Sequence, residues 1–161
     1  GMKVIIATRN RYMEYGLLLL LKGHRVILAR EFFMPQNRRC ILEYDESWLI
    51  ISDASLGWLM ECMFHGRYFL QLSIESIVSV EQIKDAMRNS AWIHKHHTLQ
   101  LSMSEMVVMF GYVFRELNTC YLAREMGIHA KTVNSFLYKG MAKNGLQGVS
   151  VKRLAYAVNK T

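Results

Sequence analysis

Near the end of this 161-residue chain, Lys131, Thr132, Asn134, Ser135, Tyr138 and Lys139 fall within nine positions. Two are ammonium cations that can neutralise phosphate. The others are short hydroxyl, phenol and amide groups, the donors and acceptors that nucleobase edges require. Their spacing matters as much as their chemistry. Val133, Leu137 and Met141 recur at helical intervals, which predicts a helix from Ala130 to about Met141 with those three residues buried. The six polar residues then remain on its outer faces. The same pattern also fits a small helical bundle with a solvated face.

Two further segments must position that helix. Ser104 to Phe114 carries a one-sided stripe of Val108, Met109, Tyr112 and Val113, with Ser102 and Ser104 as cap-type residues ahead of it. Thr119 to Met126 follows, capped by Asn118, with Leu122, Ala123 and Met126 on one face. Gly127 ends it, as a residue tolerant of positive φ does. The small Ala123 allows close approach, so Met126-Gly127-Ile128-His129 reads as the turn of a helix-turn-helix. A fourth helix from Val149 to Asn159 repeats apolar residues at Val151, Leu154, Ala155 and Val158.

The order Leu101-Ser102, Glu105, Val108-Met109, Leu122-Ala123, Met126-Gly127-Ile128, Lys131-Thr132-Val133, Lys143 and Gly145 resembles the LuxR/NarL-type DNA-binding domain. Its strongest piece, LAREMGIHAKTV, is similar to that family's I-A-x-x-L-x-I-S-x-x-T-V core. The resemblance spans roughly the last 60 residues. It implies sequence-specific binding of double-stranded DNA with the third helix in the major groove. By motif position it assigns Asn134, Ser135 and Tyr138 to base edges, and Lys131, Thr132, Lys139 and Lys143 to phosphates. It also implies a homodimer, or a heterodimer with a related regulator, with the fourth helix supporting dimer contacts. Phe136 and Asn144 depart from the family pattern, so an interaction protein that pairs with a true response regulator stays open as an alternative.

The first half has a different rhythm. Lys3 to Ala7, Arg25 to Ala29, Trp48 to Ser52 and Arg67 to Leu72 are short β-branched or aromatic runs that read as strands. Ile77 to Ser79 reads as a possible fifth. Helical stretches lie at Tyr12 to Leu21, Ser55 to Phe64 and Val80 to Asn89, while Glu31 to Glu43 reads as irregular. Strands alternating with helices predict a parallel sheet covered on both faces, with functional groups at the carboxyl ends of its strands.

VIIATRNRYMEYGL and WLIISD are similar to the opening and phosphoacceptor strand of a NarL/FixJ-type response-regulator receiver. The resemblance implies a flavodoxin-like parallel sheet over residues 2–90. It puts Asp53 at the phosphoacceptor position and Ser73 at that of the switch hydroxyl. A receiver needs an acidic pair beside that aspartate to hold Mg²⁺. Here Thr8 and Arg9 stand in its place, which makes Asp53 a degenerate phosphoacceptor position. The expected architecture is a receiver-like α/β domain (2–90), a linker (91–99) and an all-α, four-helix LuxR-type domain (100–161). A phosphorylation-gated regulator is the other alternative.

Charge distribution agrees with a nucleic-acid partner. From Trp92 onward nine Lys/Arg stand against three Glu, whereas before it eleven stand against ten acidic residues. A basic face attracts phosphate by releasing its condensed counterions. Cys40, Cys62 and Cys120 form no metal- or disulfide-like pattern, so reduced thiols in a cytoplasmic protein are expected. His94, His96 and His97 lack companion ligands at metal spacing, and the segment reads as a solvated linker. Leu17 to Leu21 is too short to span a bilayer. With no acid–base pair, nucleophile constellation or phosphate loop, neither an enzyme nor a cofactor is expected.

Overall fold

The computed structural model describes residues 2–43, 45–77, 79–89, 100–144 and 148–160. Four strands among them form one parallel sheet. They are β1 (Met2–Ala7), β2 (Val26–Leu28), β3 (Ser47–Ser52) and β4 (Tyr68–Ser73), in the order β2-β1-β3-β4. As expected, β1 and β3 are central neighbours, with Val4 beside Leu49 and Ile5 beside Ile50.

A parallel sheet needs crossovers, and helices supply them. They are α1 (Arg11–Leu20), the short α2 (Ala29–Phe32) and α3 (Ala54–Met63), while α4 (Val80–Asn89) follows the last strand and packs back on the sheet through Ile83. Because both faces are covered, Val4 to Ala7 and Trp48 to Ser52 are buried without a break. Val4, Ile6, Leu49 and Ile51 pack with Leu17, Leu21 and Ile83 on the α1/α4 side. Ile5, Ile50, Trp48 and Phe69 pack toward α3 on the other.

The second half is helical wherever it is described: α5 (Met103–Val113), α6 (Thr119–Met126), α7 (Ala130–Lys143) and α8 (Gly148–Lys160). Nine of the eleven residues of α5 are buried, which makes it the axis of this half. Both halves share one apolar cluster. Aromatic rings run from Trp48 to Phe64 (5.2 Å), Phe33 (6.2 Å), Phe110 (5.4 Å) and Phe114 (4.6 Å). Each such side chain contributes about 1.5–3 kcal/mol by leaving water. Polar ties reinforce the contact. Arg67 donates to the Leu101 carbonyl (2.7 Å), and Asn144 Nδ2 donates to the Cys62 carbonyl (3.0 Å). Burial pulls the Arg67 guanidinium down to about 10, against the smaller opposing effect of Glu46.

Two expectations are corrected. Ile77 to Ser79 contributes no strand among its described residues. Ile74–Ser76 is a 3-10 turn, and Ser79 exchanges bonds with Gln82 in the first turn of α4, so it serves as a helix cap. The stretch from Glu31 is also less irregular than its composition indicates, because α2 ends within it and Pro35–Asn37 forms a 3-10 turn. The expected linker 91–99, with its three histidines, lies outside the described residues, as does Gly145.

Candidate nucleic-acid interface

Local chemistry fixes each piece of the region from α5 to α7. Ser102 and Glu105 form a reciprocal capping box that starts α5. After α5 the chain turns through Glu116 at φ 54°, and Arg115 clamps Glu125 of α6 through two bonds of 2.9 Å. Asn118 caps α6 by accepting from the Tyr121 N–H (2.8 Å). Gly127 adopts φ 67°, and the Ile128 N–H returns to the Ala123 carbonyl (3.0 Å), closing the turn as the sequence predicts. A β-carbon on Gly111 would meet Leu122 Cδ2 at 2.5 Å, so α5 and α6 touch through a glycine.

In α7, Val133, Leu137, Gly140 and Met141 face inward. Lys131, Ser135, Tyr138 and Lys139 recur one and two turns apart and form the outward stripe, with Thr132 and Asn134 flanking it. Lys131, Tyr138 and Lys139 are exposed, and Thr132, Asn134 and Ser135 are half-buried. The helix starts at His129, whose side chain makes no capping bond. The leading N–H groups of α7 therefore border an open concavity of about 620 Å³ lined by His129, Ala130, Lys131 and Thr132. The positive end of a helix and an ammonium suit an anion.

Lys143 does not join that face. Its ammonium donates to the buried carboxylate of Glu105 (2.6 Å) and to the Gln100 carbonyl (3.0 Å). Its partly exposed charge is paired with Glu105, a different partner from the phosphate expected of it. Two other cations occupy the neighbourhood instead. Arg38 and Arg39, just after the 3-10 turn of the first half, line a groove of about 390 Å³ with Glu125 and Met126, next to the α6–α7 turn. Sequence reasoning passed over them as part of an irregular stretch. An arginine doublet in a basic, proline-containing loop was the available signal.

Asp53 lies after β3, at the carboxyl end of the sheet. Thr8 Oγ1 donates to one of its oxygens (2.8 Å) and the Arg9 backbone N–H to the other (3.2 Å). The guanidinium of Arg9 was expected on the metal side of Asp53, and the structure corrects this. It stacks over the Phe114 ring (4.3 Å), donates to the Phe114 carbonyl (2.9 Å) and reaches Asn159 Oδ1, tying the sheet to α5 and α8. Helix ends attract cations because their last carbonyls lack partners. Ser73 turns to Glu75. That bond, with the N–H groups of Glu75 and Ala54, holds the Glu75 carboxyl below its ordinary range. Among the described residues no group of three His, Cys, Asp or Glu side chains could hold a metal ion, and no helix is long and apolar enough to cross a membrane.

Comparison of the chain with protein-family models, curated proteins and solved structures finds no match.

Proposed function

We propose that the protein is a sequence-specific regulator that binds double-stranded DNA with α7 in the major groove and works without phosphorylation of Asp53. The observation that carries this reading is the outward stripe of α7. It combines exposed Lys131, Tyr138 and Lys139 with Ser135, flanked by Thr132 and Asn134, behind a helix start without a side-chain cap. The resemblance of residues 100–161 to LuxR/NarL-type domains points the same way. Arg38 and Arg39 extend the basic surface past the end of α6.

Two features support a receiver-like but degenerate first half. The order β2-β1-β3-β4 matches the first four positions of the flavodoxin-like order. The oxygens of Asp53 are engaged by Thr8 and the Arg9 N–H, where a receiver would place its acidic pair.

The test separates base reading from charge. Asn134→Ala is expected to cost about 1–3 kcal/mol on a selected duplex and much less on a scrambled one, since only base-edge bonds distinguish sequences. Lys139→Ala is expected to weaken both about equally and to make the salt dependence shallower by roughly one unit. Equal losses for the Asn134 variant on both duplexes would remove its base-reading role. Failure of wild type to bind either duplex at low salt would remove the DNA reading altogether.

A further inference from the structure

Between exposed Arg11 at its start and exposed Lys22 just past its end, the outer face of α1 is apolar. Tyr12 is 90% exposed, Tyr15 64%, Leu19 57%, Leu20 48% and Met13 42%. The one charged side chain from Tyr12 to Leu21 is Glu14, which is buried and held by Arg30 through bonds of 2.8–3.1 Å. Those five exposed residues present on the order of 600 Å², the upper end of what a lone soluble chain leaves bare. A standard interface needs about 800 Å² from each partner, so this face supplies most of one side.

Its shape is that of a knob beside a groove. Tyr12 projects at one end. A concavity of about 480 Å³ runs alongside, lined among others by Met13, Gly16, Leu20, Ile74 and Ile77. Gly16 lies at the middle, where an added β-carbon would meet nothing within 4 Å, so another helix can approach the backbone there. Tyr12 and Leu20 stand one turn before and one turn after it. An identical helix crossing antiparallel at Gly16 therefore brings each Tyr12 onto the other's Leu20. That is the self-complementarity a two-fold contact requires. The chain carries a formal charge of +7, and two copies repel through most surfaces; on this one the exposed cations, Arg11 and Lys22, stand only at the two ends.

We propose that α1 is a homodimer contact, two copies packing antiparallel about Gly16 with Tyr12 against Leu20 of the partner. The inference goes beyond the DNA reading and does not depend on it, because its readout is mass. The test is sedimentation of the full chain from about 1 to about 100 µM, without DNA. Wild type is expected to dimerise in that range. Tyr12→Glu and Leu20→Lys, both at exposed positions, are each expected to weaken the dimer at least about tenfold while leaving the melting curve at low concentration in place.

The discriminating arm mixes the two variants. Antiparallel pairing sets the introduced carboxylate against the introduced ammonium on one side and restores the native Tyr12–Leu20 contact on the other, so the mixture is expected to recover the dimer. A wild type that stays monomeric at the highest concentration overturns the proposal. So does a dimer indifferent to both substitutions, or a mixture that fails to recover. A monomer that floats with neutral lipid vesicles through Tyr12 and Leu20 would overturn it in favour of a membrane surface.

Discussion

Replacing Lys143 with methionine removes an ammonium from a buried carboxylate while keeping the apolar stem that reaches it. Glu105 is 3% exposed and has two donors, the Lys143 ammonium at 2.6 Å and the Ser102 N–H at 2.7 Å. The variant leaves it with the second alone and also strips a donor from the Gln100 carbonyl. Breaking a fully buried ion pair from one side costs about 3–5 kcal/mol. The Lys143 side chain is 31% exposed, so water screens this pair and the expected cost falls to about 2 kcal/mol. For a chain of this size that lowers Tm by about 4–8 °C, read by circular dichroism. Adding Glu105→Gln is expected to recover part of the loss, because a neutral amide tolerates burial better than a lone carboxylate. The salt dependence of DNA binding is expected to match wild type. A Lys143→Met variant with unchanged Tm and a salt slope reduced by about one unit would refute the reasoning and return Lys143 to the phosphates.

Three further outcomes follow from the packing and the site. Gly111→Ala drives a β-carbon into fully buried Leu122, and the overpacking of about 1–3 kcal/mol is expected to outweigh the roughly 1 kcal/mol gained in helix propensity, so urea unfolding shifts to lower concentration. Cys62 is buried and its thiol is pushed up to about 11 by burial, with Glu61 adding to the effect, whereas Cys40 and Cys120 are exposed. At pH 8 a disulfide reagent is expected to label Cys40 and Cys120 quickly and Cys62 only on unfolding, and peptide mapping reads which thiols react. Because the folded state holds the Cys62 proton more tightly, its contribution to stability is complete below about pH 9 and fades as pH rises through about 11. Acetyl phosphate with Mg²⁺ is expected to leave the mass at Asp53 unchanged, and a stable adduct there would reinstate phosphoryl control.

Much of this fold is legible in short apolar runs. Val4 to Ala7 and Trp48 to Ser52 are continuous β-branched or aromatic stretches, and in a chain that also carries this much charge such a run marks a strand covered on both faces. Asn118, Gly127 and the Val133-Leu137-Met141 spacing likewise declare α6, its turn and α7, because caps and turns act within a few residues. What escaped was long-range. Arg9 looked like a cation set against Asp53, yet its guanidinium partners lie at Phe114 and Asn159. Lys143 has the look of a surface lysine, and only the fold brings Glu105, far back in the chain, beneath it. Arg67 gave no sign that it would be buried under Leu101. Ser79 misleads for a local reason: a cap-type residue next to isoleucine and valine resembles a strand end when Gln82 is not weighed.

The aromatic series from Trp48 through Phe64 and Phe33 to Phe110 carries a consequence for biosynthesis. The first half leaves the ribosome with the outer side of α3 uncovered, because α5, which covers it, is encoded later. At roughly 5–20 residues per second, translation takes about 2–9 s to pass from Phe64 to Phe110. Throughout that interval Phe33 lacks the Phe110 ring against which it finally rests. A pause in elongation between α4 and α5 lengthens the exposure and favours chaperone capture or aggregation over completion. The nascent sheet is thus most vulnerable before the helical half emerges, for a time set by the ribosome rather than by its own folding.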